Sequence, residues 1–150
     1  MKGEFSKGEL YGFITGMAST ALARRLQKNF KTKGIDITVE QWSVLYHLWR
    51  NDGISQQDLC IQSFRDKPSI TRLVDNLEKL KLVKRTASKE DKRINRIFLT
   101  AKGKKLQETT MEMANQTIVE AMQGVSERDI ELCKNVLYQV FENLKTLAAK

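Results

Sequence analysis

Pro68-Ser-Ile-Thr-Arg-Leu-Val-Asp-Asn-Leu-Glu-Lys-Leu80 is the stretch that decides the fold. Its apolar residues, Ile70, Leu73, Val74, Leu77 and Leu80, follow at spacings of 3, 1, 3 and 3, which puts them on one face of an α-helix. Proline suits the first helical position, where its missing N–H is no loss. The opposite face is polar or charged: Ser69, Thr71, Arg72, Asp75, Asn76 and Lys79. Directly after it, Leu82-Val-Lys-Arg-Thr86 and Ile94-Asn-Arg-Ile-Phe-Leu99 are short and β-compatible. Ala87 to Arg93, between them, is polar and charged, so the two segments read as a hairpin with a long basic tip.

Upstream, Thr38-Val-Glu-Gln41 has the form of a capping box and opens a helix that runs to about Arg50. Trp42, Leu45 and Trp49 mark its stripe, widened by Val44 and Leu48. Asn51-Asp-Gly53 ends it, and Ser55-Gln-Gln-Asp58 starts a short helix to about Ser63, with Leu59 and Cys60 as its apolar positions. A long first helix is predicted from about Leu10 to Lys33. Its stripe is Leu10, Ile14, Met17, Ala21 and Leu22, continued by Leu26 and Phe30, and Gly34 is its stop. Gly12 and Gly16 weaken this helix and would permit close packing.

Downstream, Thr100 caps a fifth helix to about Met122, Gly124 breaks it, and Ser126-Glu-Arg-Asp129 starts a sixth. There Ile130, Cys133, Leu137, Val140, Leu144 and Leu147 are spaced 3, 4, 3, 4 and 3, the a/d seam of a helix that pairs with another helix. The same stripe also fits a helix packed on its own domain. Pairing with a second copy is the favoured reading, because the first and last helices have no other evident core to join. The fold class expected is therefore mainly α. A winged helix-turn-helix lobe with a two-stranded β-hairpin wing occupies 35–103, and dimerisation helices occupy 1–34 and 104–150.

The net charge is +8, and its placement says more than its size. From Arg65 to Lys105, fourteen basic residues against five acidic give +9; twelve against thirteen in the remainder give −1. A basic block inside an otherwise balanced chain points to a polyanion surface. The major groove of DNA admits one α-helix, and a recognition helix must bury one face while offering short polar and basic groups from its N-terminal half. The helix from Pro68 meets that requirement, with Arg72 suited to guanine and Ser69 and Thr71 to base edges or phosphates. At the hairpin tip, Lys89, Lys92 and Arg93 are placed to follow the DNA backbone or enter a narrow minor groove. Asp91, two residues before Arg93, is placed to hold its guanidinium. Each residue taken singly also fits a solvated surface.

In this order and at these spacings, the motifs resemble the MarR family of bacterial regulators, named for multiple antibiotic resistance. The pieces are Thr38-Val-Glu-Gln-Trp-Ser-Val-Leu45, Ser55-Gln-Gln-Asp-Leu59, Pro68-Ser-Ile-Thr-Arg-Leu-Val-Asp-Asn-Leu-Glu78, Leu82-Val-Lys-Arg85, Asp91-Lys-Arg93 and Leu99-Thr-Ala-Lys-Gly103. The resemblance covers Thr38 to about Leu106. It implies a homodimer on a pseudo-palindromic operator, usually a repressor released by a small ligand or by thiol oxidation. It also implies that Ser55 and Gln56 lie near the phosphates, that Lys67, Pro68, Ser69, Thr71 and Arg72 face the major groove, and that Arg93 is the wing-tip arginine. One departure is Lys81, where the family commonly has glycine. The family's peroxide-sensing branch carries a cysteine in the N-terminal helix, and this chain has none there.

The same resemblance puts an effector, apolar or aromatic, between the dimer helices and the DNA-binding lobe. Phe13, Met17, Trp42, Tyr46 and His47 could line such a cleft, or simply pack. His47 is the only histidine and cannot form a metal cluster alone. Neither a metal nor a cofactor is expected. Cys60 and Cys133 are too few for a secreted disulfide framework, and both fall at apolar positions expected to be buried. There is no phosphate-binding glycine loop, HExxH or Ser/His/Asp set, so an enzyme is not expected. No apolar run approaches the roughly 20 residues that span a bilayer, and Met1 to Gly8 is polar, so the expectation is a cytoplasmic protein with no membrane partner. The remaining rival is a winged-helix module that binds proteins rather than DNA.

Overall fold

The computed structural model describes residues 2–148, with side chains from residue 11 onward. The order is α1 (Lys2–Thr32), α2 (Val39–Arg50), α3 (Gln56–Ser63), α4 (Lys67–Lys79), β1 (Val83–Ala87), β2 (Asn95–Leu99), α5 (Ala101–Ala121) and α6 (Glu127–Ala148). The chain divides into two compact units, one ending at Thr117 and the other beginning at Ile118. No helix of the described residues is long and apolar enough to cross a membrane.

Local chemistry sets the helix ends. At α2, Gln41 N–H donates to Thr38 Oγ1 at 3.1 Å and Thr38 N–H donates to Gln41 Oε1 at 2.9 Å, a complete capping box. Ser55 caps α3. α4 begins one residue before Pro68, because Asp66 is its cap: Ser69 N–H donates to Asp66 Oδ1 at 2.7 Å. At its other end, Lys81 N–H reaches Glu78 O at 2.9 Å and Leu82 N–H reaches Leu77 O at 3.0 Å. That pattern requires a left-handed residue at position 81, and Lys81 adopts φ +59°. A non-glycine residue pays roughly 1–2 kcal/mol for this conformation. Lys81→Gly should accordingly raise stability by about 1 kcal/mol. Urea denaturation would read the gain, and an unchanged or lower midpoint would mean that the turn carries no such strain.

The core of the first unit forms where α2, α3, α4 and the hairpin meet. Ile70, Leu73, Val74 and Leu77 of α4 are all buried, so the stripe that marked the helix is the face that holds it. Leu45 and Leu48 of α2, Leu59 of α3, and Leu82 and Ile97 complete the interior. β1 pairs antiparallel with β2, with Val83 opposite Leu99 and Ala87 opposite Asn95. The link between α2 and α3 lies along the other side of β2: Gly53 N–H donates to Ile97 O and Ile97 N–H to Ile54 O, both at 2.9 Å. The C-terminal half of α1 joins the core through Leu26 and Phe30, and the buried Asn29 Nδ2 donates to Thr117 Oγ1 at 2.8 Å.

Two regions leave an apolar stripe open. The N-terminal half of the α1 stripe is open, with Ile14 and Met17 exposed, and a Cβ on Gly12 or Gly16 would meet nothing within 4 Å. In the second unit, α6 has no buried residue. Cys133 is exposed and Cys60 only partly covered, rather than both being buried. In each region the apolar stripe lies largely exposed among the described residues.

Candidate nucleic-acid interface

α4 turns its polar face outward because its apolar face is fully committed to the core. Lys67, Pro68, Thr71 and Arg72 line an open groove along the exposed side of the helix. A second groove, of about 500 Å³, lies between α3, the start of α4 and the hairpin, and includes Gln56, Lys67, Arg93 and Asn95. Lys67 belongs to both, so the two grooves meet at its side chain.

At the hairpin tip, Arg93 is almost fully exposed and its guanidinium is aligned. Nε donates to Asp91 Oδ1 and Nη2 to Asp91 Oδ2, each at 3.2 Å, while Arg93 N–H donates to Oδ1 at 3.0 Å. These bonds hold the Asp91 carboxyl below the usual carboxylate range. The backbone and side-chain bonds from Ser69 do the same for Asp66. Both carboxylates therefore stay charged at neutral pH, and their stabilising bonds weaken only as pH falls through their lowered values. Lys89 and Lys92 stand exposed on the same loop.

The remaining expected contacts are more varied. Ser55 is buried: its hydroxyl accepts from Asp58 N–H at 3.0 Å and donates to Asp58 Oδ2 at 2.7 Å, so the side chain serves as a cap. Gln56 points into the lobe, with Nε2 donating to Thr71 Oγ1 at 2.9 Å and Oε1 accepting from Arg85 Nε at 3.2 Å. Arg72 Nη2 lies 3.2 Å from Glu40 Oε2, an exposed pair of small energetic value.

Arg85, on β1, went unnoticed in the sequence as anything beyond one of many cations. Its guanidinium joins Glu78 at 2.8 Å and Asp75 at 2.9 Å as well as Gln56, and its side chain is only 23% exposed. Glu78 and Asp75 sit three residues apart on α4, a spacing that puts both carboxylates on one side of the helix. That was the available signal; their distance from Arg85 in sequence concealed it.

The five cleft candidates fall into two groups. Phe13 and Met17 are exposed and border an open groove on α1 with Arg24 and Lys28. Trp42, Tyr46 and His47 form a separate ladder of aromatic contacts, Trp42 with Phe30 at 6.1 Å and with Tyr46 at 5.7 Å, and Tyr46 with His47 at 5.9 Å. Burial, then the charges of Arg50 and Arg65, lower the His47 pKa, so this ring is neutral at physiological pH. Burial and the neighbouring Asp66 raise the pKa of the Cys60 thiol, which leaves it a poor nucleophile. Among the described residues no His, Cys, Asp and Glu cluster is suited to a metal ion.

Comparison with known proteins agrees with this architecture. Residues 35–94 match the family model described as MarR family. The HTH-type transcriptional repressor IacR of Pseudomonas putida is 28% identical over 115 residues, spanning 77% of this chain and 69% of IacR. A MarR transcriptional regulator from Methanosarcina mazei Go1 superposes with a TM-score of 0.82 at 27% identity, covering 93% of this chain and 99% of that one. Transcriptional regulator PA3341 is 30% identical with a TM-score of 0.76, covering 91% and 98% of the two chains. Reduced AbfR, solved bound to DNA, is 25% identical with a TM-score of 0.78, covering 98% and 99%.

Helices α2 to α4 followed by the β1–β2 hairpin are a winged helix-turn-helix, the architecture of a transcription regulator. The chain belongs to the MarR family.

Proposed function

We propose that this chain is a cytoplasmic, homodimeric, sequence-specific repressor that reads a pseudo-palindromic DNA operator through α4 and the wing. The observation that carries the reading is the pair of grooves meeting at Lys67, one with Thr71 and Arg72, the other with Arg93. With α4 in the major groove, Arg93 reaches the neighbouring minor groove, and the phosphates between them pass Lys67. Lys89 and Lys92 follow the same backbone. In this reading the lobe spans 35–103, and the dimer forms through 1–34 and 104–150. The wholly unburied α6, with Leu137, Tyr138, Leu144 and Leu147 exposed, supports pairing with a second copy. Repression accords with the relative IacR. Response to a small effector is supported by the indole N–H of Trp42, which is buried and has no acceptor among the described residues.

Selection of bound sequences from a random duplex pool tests the reading, followed by titration over a range of salt. Operator affinity should fall steeply, with a log–log slope of about −0.9 per phosphate contact. Absence of a selected sequence, or a shallow slope, would favour a protein-interaction module instead. Arg72→Ala should cost roughly 1–3 kcal/mol and relax preference at one base position, because Arg72 reads a base edge. Equal weakening on every sequence would reduce Arg72 to a phosphate contact.

A further inference from the structure

We propose that Arg85 and Gln56 fix the hydroxyl of Thr71 as a hydrogen-bond donor, and thereby determine which base edge Thr71 recognises. The proposal rests on the DNA-reading function above and names a specificity device within it.

A guanidinium has only donors, so the Gln56 atom 3.2 Å from Arg85 Nε must be the amide oxygen. The amide nitrogen then faces the other way, 2.9 Å from Thr71 Oγ1. An amide NH₂ can only donate, so Thr71 Oγ1 accepts there, and its own proton must go to another partner. Threonines elsewhere in the chain return that proton to the helix: Thr110 donates to Leu106 O at 2.7 Å and Thr117 to Met113 O at 2.8 Å. Thr71 makes no such bond among the described residues and lines the groove with Lys67 and Arg72. Its proton is therefore available to a group entering that groove.

The relay starts from a fixed point. Arg85 is held by Glu78 and Asp75 at 2.8 and 2.9 Å and is largely covered, so its Nε keeps one orientation. In the major groove, guanine N7 and O6, adenine N7 and thymine O4 accept, whereas the cytosine amino group donates. Thr71 should favour an acceptor edge at the base it meets and disfavour cytosine.

Gln56→Glu reverses the relay with almost no change of shape. One carboxylate oxygen still faces Arg85, and the other now accepts the Thr71 proton, leaving a lone pair toward the groove. The experiment uses the full chain and the duplex that the wild-type protein selects from a random pool, with every single-base variant of that duplex. At one base position, Gln56→Glu should lose about tenfold in discrimination for the acceptor edge and shift toward cytosine. Thr71→Val should lose discrimination at that same position, and the double variant should behave as Thr71→Val alone. Thermal melting confirms that each variant is folded. A merely structural role for Gln56 would weaken all duplexes equally, and that result, or unchanged discrimination in either variant, overturns the relay. Failure of the wild-type chain to select any duplex overturns the DNA-reading function itself, which is a different outcome.

Discussion

Gly103→Ala should destabilise the chain by about 3 kcal/mol, although the residue lies inside a helix where alanine is normally the better choice by up to about 1 kcal/mol. An added Cβ would meet the Leu82 carbonyl oxygen at 2.2 Å and Leu99 Cδ2 at 3.3 Å. The oxygen is not free to retreat. It accepts from Thr100 N–H at 3.0 Å and from Thr100 Oγ1 at 3.1 Å, the bonds that join the exit of the wing to the entry into α5. Thr100 also caps α5 by accepting from Gly103 N–H at 3.1 Å, and Trp49 Nε1 donates to Gly103 O at the same distance. Helix, wing and α2 therefore converge where only a hydrogen atom fits. For a chain of this size the loss corresponds to a fall of roughly 6–12 °C in Tm. A melting temperature within 2 °C of wild type, about the shift of a small surface change, would refute the close approach.

Leu137→Glu should convert the protein to a monomer and lower operator affinity by about 10²–10⁴-fold, the gain expected from linking two binding modules. Leu137 lies on the seam of α6, whose apolar residues are largely exposed in the single chain. Burying a carboxylate in the proposed helix pair is strongly unfavourable. The unit ending at Thr117 is compact by itself, so it should stay folded in the variant, as circular dichroism would read. Sedimentation and operator titration read the two effects together. A Leu137→Glu protein that sediments as a dimer would remove α6 from the interface, whereas a monomer that binds the operator as tightly as wild type would remove the need for two copies.

Features that depend on neighbours in sequence could be read in advance, and those that depend on distant partners could not. The α4 stripe, the Thr38–Gln41 box and the Asp91–Arg93 spacing are all relations within a few residues, and backbone geometry turns such spacings directly into contacts. Arg85 meets Gln56, 29 residues away, and Arg72 meets Glu40, 32 residues away. Neither pair leaves a periodic trace, because the fold itself brings the partners together. Gln56 illustrates the cost. The family resemblance implied a place near the phosphates, while its side chain bonds to Thr71 and Arg85. The Asp66 cap was hidden by Pro68, which drew the helix start one residue too late. α6 is the opposite case: its seam was plain in the sequence, yet its apolar residues lie largely exposed among the described residues.

The pairing of Gly53 to Ser55 along β2 bears on strand addition at the edge of the hairpin. A bare hairpin edge is a template for strand addition by another molecule, a common start of aggregation. Here the outer edge of β2 near its base is already occupied by the link between α2 and α3. Arg96 Nη1 closes the arrangement by donating to Gly53 O at 3.1 Å. The stretch from Ser88 to Ile94 lies beyond that protection, and there charged Lys89, Glu90, Asp91, Lys92 and Arg93 discourage a foreign strand. The charges proposed to meet DNA would thus also disfavour strand addition along the wing.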